Sequence, residues 1–227
     1  MLVRSWLRPL EVAIYPINGD GSDETAAYIV ALSESQFEEI GTFIVEQATH
    51  HRLQPLPGFH IRLKHEIQAL PPQPPQERSA LAAIAWSLKM RYFAFHHTPF
   101  WENLGRIRFF VVFHQGEEGK PLQHSYGLHK GLVGAVHVFA DKRQSRQNNV
   151  IIAHELFHAL GATDKYDAAG RPIYPDGFPD PGEGERYPQH VAEIMAGRIA
   201  IRPDRAVIPL SLDDCAVGPK TAYEINW

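Results

Sequence analysis

Apolar and polar residues follow two different periods along the first two thirds of the chain. Alternation over residues 10–17 and 59–67 is typical of half-buried strands, and the near-continuous apolar run at 107–113 is typical of a strand buried on both faces. Residues 131–139 form a fourth strand-like segment among several glycines. Because helical segments separate these strands, the pattern predicts an α/β layer.

Three segments carry the marks of helices. Residues 33–50 place apolar side chains at helical intervals, residues 79–95 are rich in alanine, leucine and isoleucine, and residues 150–160 are apolar almost all round. Asn148 or Asn149 can cap the third helix, and its end is followed by a glycine, which favours the left-handed conformation of a helix terminus. We therefore expect the third helix to be buried.

After this third helix, apolar residues no longer recur at the spacing of a helix or of a strand. Five prolines and four glycines between residues 167 and 190 exclude a long helix there, and residues 189–195 offer room for a short one. We therefore expect a single domain over residues 1–227. A subdomain of sheet and helices covers 10–161, and an irregular, loop-rich C-terminal subdomain covers 162–227.

Composition and charge narrow the class of protein. Hydrophobic residues make up 44% of the 227 positions and charged residues 21%, as in ordinary globular proteins. A formal net charge of −4 gives no reason to expect nucleic acid as a partner, and no apolar run is long enough for a transmembrane segment. The single cysteine, Cys215, excludes an internal disulfide and is expected to be buried. We expect a soluble monomer. For its cellular location, export and anchoring through a segment upstream of Met1 are both alternatives.

The third predicted helix carries the sequence His154-Glu155-Leu156-Phe157-His158. Residues four apart lie on one face of a helix, so His154 and His158 can present two imidazoles to one ion. Glu155 lies one step round the helix, where its carboxylate can take a proton from water instead of binding the ion. This spacing is the signature of a zinc site with its own general base. Burying three such groups in an apolar helix without partners would also be costly.

A catalytic zinc site needs a third protein ligand, and the sequence offers more than one. Gly161 allows a sharp turn after the helix, which can bring Asp164 back to the metal. Asp167 is a competing ligand, or a partner that orients one of the histidines. Glu193 is a further choice, because it lies beyond most of the stretch that is hostile to helices. The spacing favours Asp164.

The full pattern over residues 154–164, HExxHxxGxxD, resembles that of the metzincin clan of zinc peptidases. It is most similar to the snapalysin-like members, which have aspartate as the third ligand. The resemblance implies a mixed, twisted sheet with an edge strand above the active-site helix and an irregular C-terminal subdomain. It also implies a methionine turn beneath the metal, and Met195 lies at the corresponding place.

The same resemblance implies where a substrate would bind. In metzincins a peptide lies along the edge of the sheet, and residues 131–140, just before the active-site helix, were matched to that edge. On this match the substrate backbone would pair with Gly134, Ala135 and Val136 by strand addition.

These observations predict a zinc metalloendopeptidase, a hydrolase that cleaves peptide bonds with metal-activated water. Glu155 would be the catalytic base, Zn²⁺ the cofactor held by His154, His158 and Asp164, and a peptide or protein the substrate. One alternative is a gluzincin-type peptidase with a glutamate as third ligand. Another is a non-catalytic zinc-containing module that binds a peptide or protein, against which Glu155 argues, because structural zinc needs no base.

Further polar side chains could serve the same site. Three tyrosines follow the metal helix, and one of them could stabilise the oxyanion of the reaction; they are Tyr166, Tyr174 and Tyr187. His129 and His137 flank the presumed edge strand, where they either line the cleft or are ordinary strand residues. The adjacent pairs His50-His51 and His96-His97 are a weaker hypothesis for a second metal.

Overall fold

A computed structural model describes residues 6, 9–51, 58–75, 79–99, 106–116, 126–127, 132–182 and 184–227. Its centre is a five-stranded sheet. The strands are β1 (Leu10–Asn18), β2 (Phe59–Leu63), β3 (Ile107–His114), β4 (Tyr126–Gly127) and β5 (Val133–Phe139), in the spatial order β2-β1-β3-β5-β4. The first four in this order run parallel, and β4 runs antiparallel to β5.

Five helices surround or follow the sheet in the described part of the chain. They are α1 (Asp23–Val30), α2 (Glu38–His50), α3 (Ala80–His97), α4 (Ser145–Leu160) and α5 (Pro219–Glu224). The helices predicted from periodicity correspond to α2, α3 and α4. The α/β class is therefore confirmed.

The two faces of the sheet have different covers. Side chains alternate along β3, so Phe109 and Val111 join the core that contains α1, α2 and α4, while Phe110 and Val112 face the other way. On that second face Phe110 packs edge to face against Phe93 of α3, with ring centroids 5.0 Å apart. Among the described helices, α3 alone contributes to this second core.

The prediction that residues 131–140 form a sheet edge is wrong at Gly134 and Ala135. Gly134 and Ala135 pair with β3 on one side, and with Gly127 and Tyr126 of β4 on the other. Val136 is fully buried. The strand β4, which contacts α4, lies outside β5. Its two paired residues are too few to give a period-2 signal in the sequence, so the wrong strand was assigned to the edge. Gly131 itself lies outside the described residues.

The C-terminal part consists of loops and short elements, as predicted. The pair β6 (Ala192–Glu193) and β9 (Cys215–Ala216) is parallel, and β7 (Ile199–Arg202) with β8 (Arg205–Val207) is antiparallel. A helix over 189–195 does not form, since this stretch enters β6 and then a turn. Cys215 is buried, as expected. None of the described helices is long and apolar enough to cross a membrane.

Candidate metal centre

The end of α4 turns the chain back towards its own histidines. Gly161 adopts φ 109°, the left-handed region, and its N–H donates to His158 O at 2.9 Å. The next N–H, of Ala162, donates to Phe157 O at 2.9 Å. This pair of hydrogen bonds is a Schellman motif, which closes the helix and reverses the chain. The reversal brings Asp164 beside the last two turns of α4.

The three predicted ligands meet at one point. Asp164 Oδ1 lies 3.3 Å from His154 Nε2 and 3.0 Å from His158 Nε2. One ligand atom from each residue lies within 4.8 Å of the others, and no other group of three such residues occurs among the described residues. The histidine side chains are 16% and 18% exposed, whereas Asp164 is 44% exposed. The cluster is therefore accessible to solvent on the aspartate side.

The orientation of both imidazoles fits a metal ion. His154 Nδ1 lies 2.9 Å from Ile194 O, and His158 Nδ1 lies 3.0 Å from Ala162 O. A carbonyl oxygen only accepts, so each Nδ1 must carry the hydrogen and donate it. In the neutral ring each Nε2 then keeps its lone pair, and both Nε2 atoms point to Asp164. Two imidazole nitrogens, one carboxylate oxygen and an accessible side match a catalytic zinc site.

Electrostatics at the cluster favour a positive charge between the ligands. Burial opposes ionisation of Asp164, but the two imidazoles, which donate from Nε2–H to its carboxylate when they are protonated, outweigh it and hold its pKa below the usual range. Burial likewise opposes protonation of His154, yet the Asp164 and Glu155 carboxylates raise the pKa of its ring. The chain thus stabilises a cation at the place where its ligand atoms converge.

Glu155 is buried, with 6% of its surface exposed, and it does not belong to the ligand group. It directly follows His154 in the chain, and its charge contributes to the raised pKa of that ring. A carboxylate that neighbours the ligands without joining them is compatible with a general base.

Of the three tyrosines, Tyr166 lies at the cluster. Its ring is 6.4 Å from that of His154 and inclined by 29°. Burial, followed by the charge of Asp164 and a hydrogen bond to it, raises the pKa of Tyr166 to about 12. Tyr174 instead donates to Pro181 O at 3.1 Å, and Tyr187 packs on Phe178. Tyr166 is thus the tyrosine placed to donate a hydrogen bond beside the ligands.

Met195 lies in a turn held by a buried carboxylate. Glu193 Oε2 accepts from the N–H of Met195 at 2.7 Å and of Ala196 at 2.9 Å. Its Oε1 accepts from Thr221 Oγ1 at 2.6 Å and from Gly218 N at 3.2 Å. Side-chain capture of these N–H groups also explains why the short helix predicted here does not form.

This turn is connected directly to the candidate ligands. Ile194, between Glu193 and Met195, supplies the carbonyl that binds His154, and Met195 O accepts from Lys165 N at 3.0 Å. Glu193 is fully buried with both oxygens engaged, so it does not reach the cluster as a third ligand. Its role was missed because its partners lie up to 28 residues away.

Asp167 does not join the cluster either. Its carboxylate binds the Arg171 guanidinium, with Oδ2 2.8 Å from Nη2, and accepts from the N–H groups of Ala169 and Arg171 at 2.9 Å each. It organises the turn that follows Tyr166. Of the two aspartates predicted as alternatives, the fold brings only Asp164 to the histidines.

The loop that carries Asp164 is fastened to the C-terminal helix α5. Glu224 Oε2 accepts from Thr163 N at 2.9 Å and from Lys165 Nζ at 2.7 Å, so the residues on both sides of Asp164 are held by one carboxylate. The Lys165 side chain is only 3% exposed. No sequence signal indicated this contact, because Glu224 lies 59 residues beyond Lys165.

The other histidines do not extend the site. His137 is 2% exposed and does not line a cleft; its Nδ1 lies 2.8 Å from His114 Nε2, and the two rings stack. His51 binds Val217 O at 2.7 Å through Nε2. His129 lies outside the described residues. Neither His50-His51 nor His96-His97 belongs to a three-ligand group in the described part of the chain.

Comparison with known proteins adds no relative. A scan against models of protein families matches none, and a search of curated proteins finds no significant match.

Proposed function

We propose that the chain is a zinc-dependent endopeptidase. Zn²⁺ would be held by His154, His158 and Asp164, and Glu155 would be the general base. The observation that carries this proposal is the convergence of two Nε2 lone pairs and one carboxylate oxygen, with each Nδ1 fixed by a backbone carbonyl. An ordinary buried histidine pair needs neither this common orientation nor an adjacent acid.

The chemistry divides between the ion and the side chains. When bound by three protein ligands, zinc lowers the pKa of a water to about 7 and polarises a carbonyl. Glu155 accepts the proton of the attacking water and passes it to the leaving amine as the C–N bond breaks. Its burial keeps the carboxylate away from bulk solvent.

Tyr166 would stabilise the charge that develops on the carbonyl oxygen. A phenol with a pKa of about 12 stays protonated at neutral pH, so it donates a hydrogen bond to an oxyanion without losing its proton. Tyr166 is 39% exposed, and its hydroxyl would exchange its hydrogen bond to Asp164 for one to the oxyanion.

A metzincin-like arrangement remains the form of this proposal. It is supported by the chain reversal at Gly161, the aspartate that follows, and the buried Met195 in a turn whose carbonyl orients His154. Strand addition by a peptide would fall to β4, since Gly134 and Ala135 of β5 are paired on both sides. The gluzincin-type alternative needs a glutamate as third ligand. Glu193, the residue considered for this role, has both carboxylate oxygens engaged elsewhere.

Reconstitution tests the proposal. The zinc-loaded chain should cleave members of a peptide library, lose that activity when a chelator removes the ion, and regain it on addition of Zn²⁺. Asp167→Ala, which leaves the cluster intact, is the matched control and should stay active. Zinc retention with peptide binding but no cleavage would instead identify the non-catalytic binding module.

A further inference from the structure

The outer side of α3 is an exposed apolar ridge. Four large side chains recur along it at intervals of three or four residues, so they lie on one face of the helix. They are between 58% and 79% exposed and make up the α3 ridge: Leu81, Ile84, Leu88 and Tyr92. The ridge is about 17 Å long at the usual helical rise.

The ridge points away from the protein. The opposite side of α3 packs on the sheet through Met90, Phe93 and Ala94, which are all buried. The helix is therefore apolar on both sides, although only one side has a partner in the described structure. A ridge of this size on a water-soluble surface is costly, and such surfaces mark interaction sites.

Cations border the ridge. Lys89 lies on one side of it and Arg91 on the other, and both are exposed. α3 contains no aspartate or glutamate, in a chain whose formal net charge is −4. The local charge is thus opposite in sign to that of the whole molecule.

We propose that the α3 ridge binds the surface of an anionic lipid membrane, with the helix lying in the plane of the interface. Leucine, isoleucine and aromatic side chains on one face with lysine and arginine at its borders are typical of helices that lie at this depth. The apolar side chains enter the boundary between headgroups and acyl chains, and Lys89 and Arg91 contact anionic headgroups. An open apolar groove of ≈ 450 Å³ between α3 and Pro72 continues the same surface.

A second copy of the chain fits this face less well. A symmetric pair of α3 helices would bring Lys89 and Arg91 close to their own equivalents, and α3 has no acidic side chain to compensate them. The charge that borders the ridge therefore favours the membrane over a second copy.

Vesicle sedimentation with the full chain tests this proposal. The chain should sediment with vesicles of phosphatidylcholine that contain about one third phosphatidylserine, and bind them at least about tenfold more tightly than vesicles of phosphatidylcholine alone. Binding should weaken as salt is added, because the headgroup contacts are screened. The triple variant Leu81→Gln/Ile84→Gln/Leu88→Gln should lose binding to both kinds of vesicle.

Two further pairs of variants separate the apolar and charge contributions. Lys89→Glu/Arg91→Glu should bind anionic vesicles at least about tenfold more weakly and leave the weak binding to neutral vesicles unchanged. Val30→Gln/Leu210→Gln and Lys142→Glu/Arg205→Glu change exposed residues elsewhere and should bind as the parent does.

Three results would overturn the proposal. One is equal binding, or no binding, of the parent chain to anionic and neutral vesicles. Another is an equal loss of binding in the control variants. The third is a dimer in sedimentation velocity that the triple variant dissociates while the parent chain ignores vesicles, which would make a second copy the occupant of the ridge.

Discussion

The carbonyl oxygen of Ile194 lies 2.9 Å from Nδ1 of His154, so the turn around Met195 fixes the ring of the first candidate ligand. That turn is itself held by the buried carboxylate of Glu193, which accepts four hydrogen bonds and has no cationic partner among the described residues. Burial raises the pKa of Glu193, and those four donors oppose the rise. Glu193 is thus a positioning residue for the candidate metal centre.

Replacement of that carboxylate by an amide should disturb the metal centre at a distance. In Glu193→Gln the new NH₂ group must face donors on one side, so we expect a loss of about 1–3 kcal/mol in the free energy of unfolding. We also expect zinc affinity to fall by about 10–100-fold, since the ring of His154 loses its fixed carbonyl. Denaturant unfolding and a zinc titration measure the two effects. Glu185→Gln, an exposed position, is the control, and unchanged zinc affinity in a folded Glu193→Gln would contradict the positioning role.

The ion pair between Glu224 and Lys165 should be important for the loop that carries Asp164. Lys165 is almost fully buried, so Glu224→Ala leaves an uncompensated ammonium and should reduce the free energy of unfolding by about 3–5 kcal/mol. The same carboxylate lies 3.8 Å from the half-exposed Lys220. Lys220→Ala is therefore a matched control, with an expected change below about 1 kcal/mol. Equal effects of the two variants would show that the buried contact does not stabilise the loop.

The buried His114–His137 pair should make stability depend on pH. Burial, and then the charge of His114, lowers the pKa of His137 to about 4, against about 6.5 in the unfolded chain. Between these values the unfolded state binds more protons, so stability should rise with pH by about 3 kcal/mol from pH 4 to pH 6.5 and then level off.

This pH effect is isolated by comparison with a variant. In His137→Gln, the free energy of unfolding should no longer increase by about 3 kcal/mol between pH 4 and pH 6.5. In the control variant His190→Gln, which changes an exposed histidine, this increase should be the same as in the parent chain. A parent chain and a His137→Gln variant with parallel pH profiles would contradict a neutral, buried His137.

The choice between two aspartates is open to a direct test. Among the described residues, Asp164 has the only carboxylate whose oxygen faces both Nε2 atoms, so Asp164→Ala should fail to retain zinc on dialysis. Asp167→Ala removes the partner of Arg171 and should retain zinc in the same amount as the parent chain. Metal content measured by atomic emission distinguishes the two, and the reverse result would refute Asp164 as a ligand.

What could be predicted from the sequence was mainly local. The positions of His154 and His158 follow from the period of one helix, and the return of Asp164 follows from Gly161 at the end of that helix. The central strand β3 was identified by its unbroken apolar run. Each of these features depends on residues that are close together in the chain.

What could not be predicted depends on distant contacts. Glu193 and Glu224 hold the site through partners 25 to 61 residues away, and neither carries a motif. The edge of the sheet was assigned to the wrong strand, because pairing with β4 rests on Tyr126 and Gly127 alone. The sequence pattern could not distinguish a buried His137 from an exposed one. Both faces of β5 are covered, so buried and exposed residues do not alternate along it.

The central claim is that Glu155 is a base beside the metal and not a ligand to it. Zinc content and kcat/KM on one cleaved peptide, measured on the same preparation of Glu155→Gln, test this claim most directly. We expect one zinc per chain to remain and kcat/KM to fall by at least about 100-fold, the usual contribution of a positioned general base. Full turnover with zinc retained, or loss of zinc together with turnover, would contradict it.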